Sequence, residues 1–286
     1  MIRIAPRSLD ALAARMGGRV RGEASLVPER VAPVDAAGAG ELAPLVASRY
    51  ARAAVSAVAR GALLLVDARL AGSPAAAAAR AAWVHEYAGW ALAELLDGAV
   101  VPDADPIVGE GSRVASTAVL GPRVVLGARV TIGAGAVIGH PGFGWAAGPG
   151  RRTRQVPQLG GVVIEDDVSI GPLCTVDAGT LSPTRIRARA KLDAHVHVGH
   201  NADIGEDTMV AAQTGFAGSV VVGRGVLIGG QVGVGDHVTI GDGARIAGKS
   251  GVIRDVPPGA VVAGYPAVAR ARWLRAFARL YRGGVS

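Results

Sequence analysis

Four residues in the second half of this chain have types and spacings suited to proton transfer beside a developing negative charge: Asp193, His200, Gly218 and His237. An imidazole with an ordinary titration near pH 6.5 can take a proton at neutral pH. A carboxylate can orient such a base, and a glycine N–H can stabilise an oxyanion. The same stretch permits a second chemistry. His195, His197 and His200 spell H-x-H-x-x-H, a pattern to be weighed as zinc ligands. Alternate strand positions would let His195 and His197 converge, with a corner separating them from His200. Taken singly, a histidine is more often a surface residue than a catalyst, and His85, His140, His195 and His197 are read that way. The one cysteine, Cys174, reads as a small buried side chain.

Whether the four residues meet depends on the elements that carry them. From Ile186 an apolar side chain recurs every six positions: Leu192, Val198, Ile204, Val210, Phe216, Val222, Ile228, Val234, Ile240, Ile246 and Val252. At half apolar composition such a series would arise at a chosen phase roughly once in four thousand tries. The next position is nearly always Gly or Ala, and Asp193 is an exception. Val108–Ile138 and Ile164–Val176 keep the same beat. A period of six fits neither a helix nor simple strand alternation. It fits a short strand followed by a tight corner, with small residues relieving crowding. Three units close one coil, so residues 18 apart lie one above the other, about 4.8 Å away. Gly218 then lies directly above His200, and His237 belongs to a repeat two coils, about 10 Å, further along the same edge.

Two interruptions break the beat. The larger, about 139–161, carries Phe143, Trp145, Arg151, Arg152 and Arg154 and reads as a binding loop. The smaller, LSPT at 181–184, reads as a bulged corner. Residues 1–105 lack the period and read as a separate small α/β domain. Within it Ser73 and Pro74 open a helix that runs to Gly98, with Trp83, Tyr87 and Trp90 as a core stripe. Residues 106–262 form the repeat domain. Residues 263–286 become helical after Tyr265 and Pro266, with Trp273, Phe277, Leu280 and Tyr281 on one face, either capping the solenoid or docking a partner.

Bulk properties limit the function. The 286 residues carry a net charge of +7, yet no apolar run reaches the ~18 residues of a membrane span. The N-terminus lacks a compact apolar core and cleavage site, so no secretory signal is read, and a lone cysteine fits a cytoplasmic location. No acidic residue occurs between Val256 and Ser286, which points to an acidic partner at that end. With aromatics at 4% and no nucleic-acid motif, nucleic acid is not that partner.

The segments QVPQLGGVVIEDDVSIG, VDAGTL, KLDAHVHVGHNADIG and VLIGGQVGVGDHVTIG resemble the UDP-3-O-(3-hydroxyacyl)glucosamine N-acyltransferase family of hexapeptide-repeat acyltransferases. The resemblance covers about 107–268 well and the N-terminal domain more loosely. It implies a left-handed parallel β-helix, a homotrimer, and transfer of a 3-hydroxyacyl chain to the glucosamine 2-amine. The donor it implies is the phosphopantetheine thioester of acyl carrier protein, with no metal or bound cofactor. His200 would be the base, Asp193 its orienter, Gly218 the oxyanion donor, and His237 a residue near the substrate phosphates. Tyr50, Phe143 and Trp145 would contact substrate; Arg254, Arg270, Arg272 and Arg275 would meet the acidic carrier protein. The chain departs from the family where Pro44 replaces a Phe, Ala47 an Asn and Ala178 an Arg. Competing readings are a CoA-dependent transferase on another sugar nucleotide, a γ-carbonic-anhydrase-like metal hydratase, and an inactive scaffold.

Overall fold

The computed structural model describes residues 2–99, 101–264 and 270–282. From Ile107 onward the six-residue repeat builds a parallel β-helix. Each repeat places two side chains inside: its aliphatic residue and the one two positions earlier, such as Val196 with Val198 and Ala202 with Ile204. Strand alternation turns the intervening residues, including His197, Asp203 and Met209, outward. Cys174 is one of the inward residues and is fully buried. Val108 is not: it lies on the first coil and is 48% exposed, because no coil covers it.

Small residues work at the corners by relieving close approach. A methyl at Gly199 would lie 2.8 Å from the Ala217 carbonyl carbon on the next coil. The left-handed backbone sits two residues later and is taken largely by polar residues, among them His195 (φ 59°), Asn201 (61°), Gln213 (63°) and His237 (58°). Such non-glycine conformations cost about 1–3 kcal/mol each. Hydrogen bonds to the preceding coil offset that cost: His195 N–H donates to Pro172 O, Ser219 N–H to His200 O, and His237 N–H to Gly218 O.

Strands stack into three parallel sheets of seven, eight and seven strands, one per side of the coil. The first face starts at Ile107–Val108, the second at Arg113–Val114 and the third at Val119–Leu120. On the third face Val176 pairs with Val198, Val198 with Phe216, and Phe216 with Val234, which fixes the vertical register of the corners beyond.

The N-terminal unit is a mixed six-stranded sheet with helices. Ser73 caps a helix as expected, its Oγ accepting the Ala76 N–H at 3.3 Å, but that helix ends at Ala78. Ala81–His85 is a buried strand, and a second helix spans Ala88–Asp97. The expected Trp83–Tyr87–Trp90 helical stripe is therefore corrected. The apolar run AAWVH is buried along its whole length, as an inner strand requires. Trp83 is fully buried there, its Nε1–H donating to Gly17 O at 2.9 Å. Nor is this unit separate. Its core takes in Leu181 from the repeat region, with Val156 and Leu159 packed against it.

A helix spans Arg270–Arg282. Its Leu274, Phe277 and Leu280 are all partly exposed, Leu280 the most. Tyr265 and Pro266, and the side chains of Trp273 and Tyr281, lie outside the described residues.

Candidate active site

The site is built at the corners where the third face turns into the first. Both interruptions open there on successive coils. The insertion follows Val137–Pro141, the LSPT bulge follows Thr175–Ala178, and His200 follows His197–Val198 one coil on. The insertion forms a hairpin, Trp145–Ala147 with Thr153–Gln155, lying on the helix Ala88–Asp97. Arg152 and Arg154 sit over the Trp90 ring at 5.7 and 5.5 Å, and Arg154 pairs with Glu94 at 3.1 Å and Asp97 at 2.6 Å. Arg154, carried by the loop that the sequence marks for binding, is thus engaged in holding the hairpin down.

His200 is held through the bulge. Asn201 Nδ2–H donates to Ser182 O at 2.9 Å, and Asn201 Oδ1 accepts the Thr180 N–H at 3.0 Å. That leaves Oδ1 as the atom facing His200 Nδ1, 3.2 Å away. Nδ1 is therefore the protonated nitrogen, and Nε2 keeps its lone pair. Thr180 Oγ1 lies 3.0 Å from both Asn201 Oδ1 and Gln158 Oε1, tying the network to the buried end of the insertion. Asn201, Thr180 and Gln158 were not singled out by sequence reasoning; the only signal was the Asn beside His200 in GHN.

Gly218 lies over the free nitrogen as the 18-residue spacing requires. A methyl there would be 2.7 Å from His200 Nε2. On the other side Gly142 closes down, where a methyl would come within 2.5 Å of His200 Cβ. Among the described residues the Gly218 N–H has no hydrogen-bond acceptor, so it is available to a ligand oxygen. His237 lies along the same edge. Its ring meets Tyr50 of the N-terminal unit edge-on at 6.0 Å, and the neighbouring Asp236 pairs with Arg49 at 3.5 Å. Burial is the main force pushing the His237 pKa down, helped by Arg49. Burial likewise raises the Tyr50 phenol.

A cavity of about 880 Å³ runs between the N-terminal unit and this corner. Tyr50 and Pro44 line one wall, Trp145 and Val156 another, and His200 and His237 the base. Phe143 stands outside it, 86% exposed, with its ring 6.4 Å from that of Trp145. Asp193 is not brought to His200 within one chain. It sits on the adjacent corner, between the second and third faces, exposed and accepting the Ala194 N–H at 2.7 Å. His195 occupies the left-handed corner next to it and His197 an outward strand position, so the expected shared face is not formed. No group of three or more His, Cys, Asp or Glu able to hold a metal occurs among the described residues. Arg254 lies on the His200 corner three coils up, roughly 14 Å by strand spacing. Arg270, Arg272 and Arg275 project from the C-terminal helix, exposed to solvent.

The stacked parallel sheets and six-residue corners define a hexapeptide-repeat β-helix protein, and a family model for bacterial transferase hexapeptide (six repeats) matches residues 105–140. The chain is similar to UDP-3-O-acylglucosamine N-acyltransferases. It is 54% identical to that of Caulobacter vibrioides over 145 residues, 51% of this chain and 42% of the relative. With that of Christiangramia forsetii it shares 52% identity over 82 residues, 29% of this chain and 24% of the relative. The matched stretch thus spans less than half of either curated relative. Among solved structures, LpxA from Acinetobacter baumannii shares the fold. Its TM-score is 0.51 at 23% identity, covering 65% of this chain and 69% of that one.

Proposed function

We propose that this protein is an N-acyltransferase that moves a 3-hydroxyacyl chain from acyl carrier protein to the 2-amine of a UDP-3-O-acyl-glucosamine, a step of lipid A synthesis. The observation that carries this reading is the free Nε2 of His200 facing Gly218 at the floor of the cavity. In the reaction Nε2 takes a proton from the amine as the N–C bond forms. The Gly218 N–H binds the thioester oxygen as it becomes negative. The C–S bond then breaks, and the thiolate of the carrier's phosphopantetheine receives the proton. Tyr50 and Trp145 face the sugar nucleotide, His237 lies toward its diphosphate, and Phe143 meets substrate from outside the cavity. Arg254 with Arg270, Arg272 and Arg275 offers positive charge to the carrier protein. The donor arrives with its own thioester, so the chemistry needs no metal or bound cofactor. The reading includes a cytoplasmic location; separately, among the described residues no helix is long and apolar enough to cross a membrane.

The position of Asp193 supports a homotrimer. It borders a groove on the second face lined by Met209, Leu227 and Arg245, a full corner from its own His200. In a closed three-fold ring, Asp193 of one protomer can orient His200 of the next. Thioester turnover with purified carrier protein and UDP-3-O-acyl-glucosamine tests the activity. No transfer from acyl carrier protein, with transfer from acyl-CoA instead, would reassign the donor.

A further inference from the structure

Beneath the His200 corner, on the preceding coil, lies a carboxylate that the reaction as described does not use. Asp177 is one residue beyond the inward Val176, so alternation turns it away from the core, yet it is only 6% exposed. The extended strand Val137–Pro141 shields it, its register slipping so that His140 pairs with Asp177. Among the described residues no hydrogen bond reaches its side chain. What surrounds it is imidazole: His197 Nε2 stands 3.8 Å from Asp177 Oδ2, His140 is its register partner on the coil below, and the pairing of Val176 with Val198 sets it under the start of the His200 corner. Thr175 Oγ1, 2.7 Å from His197 Nδ1, holds that ring in place. On the later coils of this face the residue that follows the inward side chain is small, Gly199, Ala217 and Gly235, so a nearly buried carboxylate at Asp177 departs from the repeat.

We propose that Asp177 is a positioning residue for the acyl transfer, the fixed negative charge that stabilises His200 while its ring carries the proton between amine and thiolate. This rests on His200 being the base. Unlike Asp193, Asp177 serves the His200 of its own chain and needs no second protomer. No bond to Asp177 forms or breaks; the proton stays on His200 until the thiolate takes it.

Asp177→Asn keeps the shape and removes the charge. The expected result is a kcat about tenfold or more lower with KM within a factor of two or so, as for a group acting mainly after substrate is bound, and partial recovery in Asp177→Glu. Thermal stability separates this from a structural role. Burial raises the Asp177 pKa, so ionisation costs the folded state above the ordinary carboxylate value, and the neutral amide should raise Tm at pH 7. Unchanged kcat in Asp177→Asn while His200→Ala is inactive overturns this inference alone. A loss of kcat with a lowered Tm also overturns it, since the residue would then be structural. Full activity in His200→Ala overturns the base assignment and this inference with it.

Discussion

At the scale of single residues, the neighbours of His200 leave only one of its nitrogens free. The Asn201 amide is fixed by Thr180 and Ser182, so His200 Nδ1 has an acceptor to donate to and Nε2 does not compete for it. Gly218→Ala should keep the fold, since its backbone is not left-handed, and place a methyl 2.7 Å from Nε2. The N–H remains but the methyl displaces the imidazole, so the expected kcat loss is on the order of a hundredfold, as for a misplaced base; wild-type turnover would remove Gly218 from the site. His237 gives a pH signature. Its folded pKa is depressed, so the unfolded chain binds the proton more readily, and the stability this residue contributes is present above about pH 6.5 and falls as pH drops below it. His237→Gln should flatten the fall in Tm between pH 7 and 5, read by calorimetry. The Gly218–His200 stacking was legible in the sequence because a strict period fixes residues 18 apart. The Asn201–Thr180–Gln158 network was not, because it depends on how two aperiodic segments fold against one another.

At the scale of elements, the corner is the working unit. Uninterrupted corners, such as those at Gln213 and Gln231, bond from coil to coil. Where the insertion and the LSPT bulge break the repeat, the chain walls the site instead. The coil interior was read correctly from the aliphatic period, and the interruption that the sequence marks lines the cavity. The helix assigned across 74–97 failed because a run of buried apolar residues satisfies both helix and inner-strand patterns. Interior packing makes a direct forecast: Phe216 is fully buried in the stack, and Phe216→Ala should cost about 3–5 kcal/mol in denaturant unfolding. A loss under 1 kcal/mol would contradict the packed interior.

At the scale of the whole molecule, the N-terminal sheet and parts of the repeat region share a core, and sheet, insertion and coil together line one cavity. The sequence marked a domain boundary near 105 but could not show Leu181 reaching back across it. Assembly is tested by mixing. If Asp193 acts on the neighbouring protomer, inactive Asp193→Asn and His200→Ala chains, refolded together in equal amounts, recover roughly a quarter of wild-type activity, because that share of interfaces joins two intact residues. No recovery in verified mixed trimers would show that Asp193 does not act across the interface.

The central claim is that His200 is the base for acyl transfer from a carrier thioester to an amino-sugar nucleotide. Its most direct test is turnover of 3-hydroxyacyl carrier protein with UDP-3-O-acyl-glucosamine by wild type and His200→Ala at equal, folded concentration. The account predicts transfer by the wild type and a loss of about a hundredfold to ten-thousandfold in the variant, the range a positioned base supplies. Equal turnover by the two proteins would contradict it.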